Sequence, residues 1–224
     1  MQLSCIIHAD QGARKEIVMG ATSLFLEGPI GIGKTSLLMR CMGVLRMTAG
    51  GFIVRRLLTE DGRVRGFSLA SPGASDKVSL PFSRDASNIF IEHSDSGSVR
   101  RPEVLEEGML SLLAGAEKRS LVVLDEIGGV ELLIPRVMAR LCEVLGSGTP
   151  CAGVFKSREN ARGMAAGLGL PGEYFDRYEA LRGRLTCDFG ARLIAVDARP
   201  GETETEAVTS FMRPLLALSG KAAG

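Results

Sequence analysis

The chain reads as an α/β protein on a mostly parallel but mixed central sheet, and three stretches predict it. The first is Gly28-Pro-Ile-Gly-Ile-Gly-Lys-Thr35, with an apolar run before it and a helix-period run after it. The second is Ser120-Leu-Val-Val-Leu-Asp-Glu-Ile-Gly128, a buried-strand pattern that delivers an acid pair to its C-terminal end. Strands alternating with helices favour parallel pairing with helices on both faces, a three-layer sandwich. The third breaks that alternation. Two β-rich runs surround Asp61-Gly62, a strong turn signal, so the sheet includes a β-hairpin.

In chain order, residues 3–8 are a candidate edge strand, and residues 22–27 a buried strand ending at a Gly-Pro turn. Residues 36–46 follow as a helix, and residues 50–59 and 63–70 are the two arms of the hairpin. Residues 71–101 are rich in Ser, Asp, Arg and Gly, with short β-like pieces at 78–80 and 88–92. Pro102 opens a helix over 103–116, with acids in its first turn. After the second motif, residues 135–145 form a helix and 150–155 a strand ending at Lys156-Ser-Arg158. The stretch 158–184 carries arginines at 158, 162, 177, 182 and 184 and reads first as a solvated face. Residues 192–197 are a last strand, 203–216 a last helix, and 219–224 a tail expected to fray. With no internal repeat and no strong linker, residues 1–224 are expected to form one domain, 1–20 being an N-terminal extension.

Composition sets limits on function. A chain of 224 residues with 45% apolar and 24% charged residues is ordinary soluble protein. Its net charge of +1 argues against a general nucleic-acid or anionic-membrane partner. The cysteines at 5, 41, 142, 151 and 187 make no C-x-x-C pair and no metal-ligand spacing, so free thiols in a reducing cytoplasm explain them. No stretch has the length of a signal-peptide core or a membrane span, which again predicts a cytoplasmic protein without a membrane partner. His8 and His93 read as structural, and Arg100-Arg101 as solvated surface.

The two motifs predict one phosphate site. The span Gly28, Pro29, Ile30, Gly31, Ile32, Gly33, Lys34, Thr35 and Ser36 has the spacing of a loop whose backbone N–H groups cradle phosphate oxygens at a helix start. Lys34 is placed to reach the β- and γ-phosphates, and the Thr35 hydroxyl to bind Mg²⁺. Asp125 at a strand end can hold the same Mg²⁺, usually through water, and Glu126 can orient or deprotonate an attacking water. Lys34 and Glu126 are therefore the expected catalytic residues, with Thr35 and Asp125 the expected metal residues. An arginine from the 158–184 stretch is a candidate to close over the phosphates.

At this point the chain resembles the small P-loop nucleoside-triphosphatases found in archaea and thermophilic bacteria, and in humans as the cancer-related nucleoside-triphosphatase. The resemblance rests on residues 28–36, on Gly50-Gly-Phe52 with a hairpin ending Arg65-Gly-Phe67, and on Leu124-Asp-Glu-Ile-Gly-Gly-Val-Glu-Leu132. In the last string Val130 stands where the family usually has methionine. The resemblance implies a RecA-like core and slow, Mg²⁺-dependent hydrolysis of ATP, GTP and other nucleoside triphosphates with little base preference. It assigns phosphate binding to Lys34, metal to Thr35 and Asp125, and water activation to Glu126. Residues 1–20 precede the family's usual start. Asp197-Ala-Arg199 stands where an asparagine–arginine pair is common.

Two other readings stay open. One is a nucleotide or small-metabolite kinase, with residues 158–184 in the position of a lid. The other is a nucleotide-dependent switch or assembly factor with an unidentified protein partner, its switch segment lying in 71–101. A DNA-processing motor would share the core, but no basic patch or nucleic-acid motif supports one.

Overall fold

Near-continuous apolar runs make strands that are covered on both faces, and the sheet is built around them. A computed structural model describes residues 22–73, 78–83, 86 and 88–219. The strands are β1 (Ser23–Glu27), β2 (Gly50–Leu58), β3 (Val64–Ala70), β4 (Ser79–Pro81), β5 (Ile89–Ser94), β6 (Gly97–Arg100), β7 (Val122–Ile127), β8 (Cys151–Phe155) and β9 (Ala191–Ala195). The helices are α1 (Lys34–Val44), α2 (Pro102–Leu113), α3 (Pro135–Gly146), α4 (Arg158–Leu168), α5 (Glu173–Cys187), α6 (Glu202–Met212) and the short α7 (Leu216–Ser219).

All nine strands of the described residues join one sheet in the order β6-β5-β3-β2-β7-β8-β1-β9, with β4 beside β2. The run from β2 to β9 is parallel, whereas β3, β5 and β6 continue from β2 as an antiparallel meander. Strand β8 thus lies between the loop strand β1 and the acid strand β7. Side chains alternate across the sheet. Leu24, Leu26, Val123 and Val154 face α1 and α6 through Leu37, Leu38, Val208 and Met212. Phe25, Val122, Leu124 and Phe155 face α2, α3 and α5 through Met109, Leu141, Tyr178 and Leu185. The α/β class with a mixed, mostly parallel sheet is as expected, and so is the hairpin, whose arms are β2 and β3.

Two features differ from the sequence expectation. Residues 158–187 are two helices joined by a short loop, because Tyr174, Tyr178, Leu181 and Leu185 make a buried stripe on α5. Arginines between those positions obscure it in the sequence. Strand β6 was not expected, since all four of its residues are exposed; only its backbone pairing with β5 makes it a strand. The expected strand at 3–8, His8, the extension 1–20 and the tail beyond Ser219 lie outside the described residues. No described helix is long and apolar enough to cross a membrane.

Close packing at the sheet centre is tightest where β8 meets β7. A Cβ on Gly153 would lie 1.9 Å from Leu124 O and 2.9 Å from a Phe25 ring carbon, so backbone would have to move. Gly153→Ala is expected to cost about 3 kcal/mol in urea unfolding, at the upper end for overpacking. Gly163→Ala in α4, where a Cβ meets nothing within 4 Å, should instead stabilise by about 0.5–1 kcal/mol. Equal midpoints for the two variants would contradict this account of the core.

Candidate phosphate and metal site

Strand β1 ends at Glu27 and the chain turns through the glycine-rich loop into α1. Gly33 is the N-cap of α1 at φ 100°, a left-handed conformation that a side chain would strain. The first-turn N–H groups of α1 have no intrahelical acceptor, which makes this helix start an anion position. Lys34 is buried, with 4% of its surface exposed, and its ammonium donates to Gly28 O at 2.9 Å and to Pro29 O. Burial lowers its pKa, helped by the charges of Lys156 and Arg56 and opposed by Glu126 and Asp125. Asn160 of α4 donates its side-chain amide to Gly28 O at 2.8 Å, which fastens α4 to the loop.

Asp125 is fully buried at the end of β7. One carboxylate oxygen accepts from Thr35 Oγ1 at 2.8 Å, and the other from the Val54 backbone N–H at 2.9 Å. Burial, then the neighbouring Glu126 charge, raises its pKa from 3.8 to about 7. The β7–β8 register shifts between Leu124 and Ile127, and Glu126 sits at φ 56° in that irregularity. For a side chain other than glycine this backbone costs about 1–2 kcal/mol. Glu126 accepts from Lys156 Nζ at 2.7 Å. Burial works against its ionisation, yet the charge and hydrogen bond of Lys156, with Lys34 and Arg56 behind them, hold its pKa below 4.5.

Ile30, Gly31, Gly33, Lys34, Thr35 and Ser36 line one cavity of about 830 Å³ together with Asp125 and Glu126. Gly28 and Pro29 support it from behind through the carbonyls that hold Lys34, and Ile32 packs toward the core under α1. The structure therefore brings the two motifs together. It does not bring the 158–184 arginines with them. Arg158 is bidentate with Glu179, Arg182 pairs with Glu27, Arg184 with Asp188, and Arg177 with Glu173 and Leu132 O. Arg162 is exposed and does not line the cavity. The cations that do line it beside Lys34 are Arg56, from the hairpin arm β2, and Lys156, directly after β8.

The sequence reading missed Arg56, Lys156, Asn160 and Glu131. Residues just past the C-terminal ends of parallel strands face the ligand edge of such sheets, and that rule would have flagged Lys156. Nothing comparable marks Arg56, which reaches the site because β2 runs beyond β7. Glu131 is buried and accepts from Gly128 N–H at 2.6 Å and Gly129 N–H at 2.8 Å, while Tyr174 OH donates to Gly128 O at 2.7 Å. These bonds fix the turn that follows the acid pair. Two adjacent hard oxygen donors, from Thr35 and Asp125, suit a cation such as Mg²⁺, which takes few protein ligands and fills its octahedron with water and phosphate.

A family model described as NTPase matches residues 23–169. The chain is 30% identical over 115 residues to Nucleoside-triphosphatase THEP1 of Thermotoga petrophila, covering 49% of this chain and 58% of the relative. The same protein from a Thermotoga sp. strain is also 30% identical over 115 residues, covering 49% of this chain and 60% of the relative. The match thus spans about three-fifths of the length of these curated relatives. In fold, the chain is similar to the crystal structure of THEP1 from the hyperthermophile Aquifex aeolicus, with TM-score 0.55, 17% identity, and 84% and 97% of the two chains covered. It is also similar to the solution structure of a human cancer-related nucleoside triphosphatase, with TM-score 0.53, 19% identity, and coverage of 87% and 97%.

The turn after β7 generates a pH prediction. Burial raises the Glu131 pKa above its ordinary 4.5, although the two backbone N–H bonds work the other way. A carboxyl whose folded pKa is raised contributes stability below its unfolded pKa and loses it as pH rises through the folded value. Glu131→Gln keeps an acceptor for the two N–H groups but cannot ionise. Its stability relative to wild type should therefore rise as pH climbs from below 4.5 into the neutral range, read from urea midpoints at several pH values. A difference that stays flat with pH would show that Glu131 is not held in a costly buried state.

Proposed function

The chain belongs to the NTPase family, and from that premise we propose that it is an Mg²⁺-dependent nucleoside-triphosphatase. It hydrolyses ATP, GTP, CTP and UTP to nucleoside diphosphate and phosphate. The observation that carries this reading is the Thr35–Asp125 hydrogen bond, with Glu126 beside it in the same cavity as the glycine loop. A hydrolase of this class needs phosphate donors, a metal acid and a water-orienting acid together.

The loop N–H groups and Lys34 bind the β- and γ-phosphates and set the γ-phosphoryl group toward the acid pair. Thr35 and Asp125 would hold Mg²⁺, which would supply positive charge against the phosphates. Glu126 accepts a hydrogen bond from the attacking water, aligns it with the phosphorus and takes its proton. Its depressed pKa favours orientation over early abstraction, which suits a loose transition state in which bonding to water lags behind bond cleavage. Lys34, Arg56 and Lys156 supply positive charge where the transferred oxygens and leaving diphosphate become more negative. Recognition by phosphate and metal carries no base identity, which supports turnover of all four triphosphates.

Phosphate release measured with the four triphosphates and Mg²⁺ tests this reading. Lys34→Ala should lose turnover through weakened phosphate binding, and Glu126→Gln should lower kcat by about 10²–10⁴ while nucleotide still binds. Arg56→Ala should lower kcat by about 10²–10³, whereas Arg158→Ala, which removes a surface ion pair, should leave it near wild type. Full turnover by Glu126→Gln would overturn the assigned water activation. Loss in Arg158→Ala with none in Arg56→Ala would return the charge-stabilising role to α4.

A further inference from the structure

The cavity extends past the groups that the proposed hydrolysis uses. Its polar end holds Lys34, Thr35, Asp125 and Glu126, and from there it continues as an apolar arm between the meander, α2 and α4. Phe67 and Phe90 form one wall, Leu105 and Met109 of α2 another, and Met164 and Leu168 of α4 a third. Ile127 and Val130, just after Glu126 in the chain, line the same space. A water molecule needs only a small polar niche. An apolar space of this kind forfeits packing contacts unless something fills it.

Helix α4 keeps the arm open. Gly163 and Gly167 both face the cavity, and a Cβ on either would meet nothing within 4 Å. Charge narrows the occupant. Among the described lining residues the cations are Lys34, Arg56 and Lys156, all clustered at the phosphate end, where Arg56 and Lys156 act electrostatically on Lys34. The β5–β6 wall offers His93 and Ser98 instead, 2.7 Å apart, with the His93 ring edge-on to Phe67 at 5.7 Å. Beyond those three cations, the described lining carries no Lys or Arg to meet a phosphate or carboxylate on the ligand itself.

We propose that this arm binds a second substrate, an uncharged alcohol with an aromatic or branched apolar body, which accepts the γ-phosphoryl group in place of water. The proposal rests on the nucleoside-triphosphatase reading above, because it uses the same phosphate site. The alcohol oxygen forms a bond to the γ-phosphorus as the bond from that phosphorus to the β–γ bridging oxygen breaks. The hydroxyl proton leaves to the Glu126 carboxylate, and the bridging oxygen departs with its electron pair on the nucleoside diphosphate. The products are a phosphate monoester, the diphosphate and one proton.

The test is a partition experiment with Mg²⁺, ATP labelled at the γ-phosphate, and phenylalkanols from benzyl alcohol to 4-phenylbutan-1-ol as probes. The expected result is monoester formation that saturates with alcohol concentration and has an optimum chain length. Gly167→Leu fills the arm with a better helix former; it should keep phosphate release from ATP and lose monoester formation. Leu168→Ala lengthens the space and should move the optimum to a longer alcohol. Phosphate release with no monoester, or with monoester that rises linearly and ignores Gly167→Leu, overturns the proposal. A several-fold rise in the KM for ATP in Gly167→Leu also overturns it, by showing that the arm holds the nucleoside. If wild type releases neither phosphate nor monoester from bound ATP, the hydrolase reading itself fails.

Discussion

One buried carboxylate ties the sheet to the glycine-rich loop. Strand β2 pairs with β7 only from Gly50 to Phe52, so beyond that point the Val54 N–H faces a partner strand that has turned away. Asp125 replaces the missing strand carbonyl and accepts that N–H, while its second oxygen accepts from Thr35 at the start of α1. A single side chain thus fixes three elements: the meander's first strand, the acid strand and the loop helix. Losing it would strand a buried donor, at a cost of about 1–3 kcal/mol, and would free α1 to shift against the sheet. The position of the site is therefore a by-product of satisfying the backbone.

The same contact sets the electrostatic problem. Asp125 and Glu126 are adjacent acids, and burial pushes Asp125 up to about 7. Lys156 resolves half of this by pairing with Glu126 at 2.7 Å, which keeps one acid ionised and lets the other carry the burden. A bound divalent cation reverses the local logic, since a positive charge beside Asp125 favours its ionised form. The cluster of Lys34, Arg56 and Lys156 waits on the opposite side of the balance, where a polyphosphate adds negative charge. Strain at Glu126, φ 56°, belongs to this arrangement as well. The carboxylate is turned out of the strand's regular alternation to meet Lys156 rather than to pack.

How much of this was legible in the sequence depended on whether a residue acts through a local pattern. Phosphate loops and strand-end acids are local: the spacing of Gly28, Gly33 and Lys34 and the run into Asp125 declare themselves with a few flanking residues. The hairpin was equally plain, because Asp61-Gly62 dictates its own turn. Arg56 was not legible, since it reaches the cavity only because β2 runs beyond β7, whereas Lys156 sits just past the end of a parallel strand, where the ligand edge of such a sheet lies. Helix α5 was hidden because tyrosine and leucine share its buried face with charged residues on either side. Strand β6 has no apolar side to announce it; partner backbone alone makes it a strand.

Helix α4 shows where stability and function part company. A helix placed over an open apolar wall would gain by filling it, and leucine at positions 163 or 167 would add both contacts and helix propensity. Glycine at both positions forgoes both gains. Of the residues in α4 only Ala161 is buried, and the helix is anchored at its N-terminal end by the Ser157 cap and the Asn160–Gly28 bond. The anchor leads to the glycine-rich loop, and the underfilled face looks onto the cavity that the acid pair also lines. An element kept short of its own best packing, yet fastened at the end beside the acid pair, has the shape that the proposed second substrate requires.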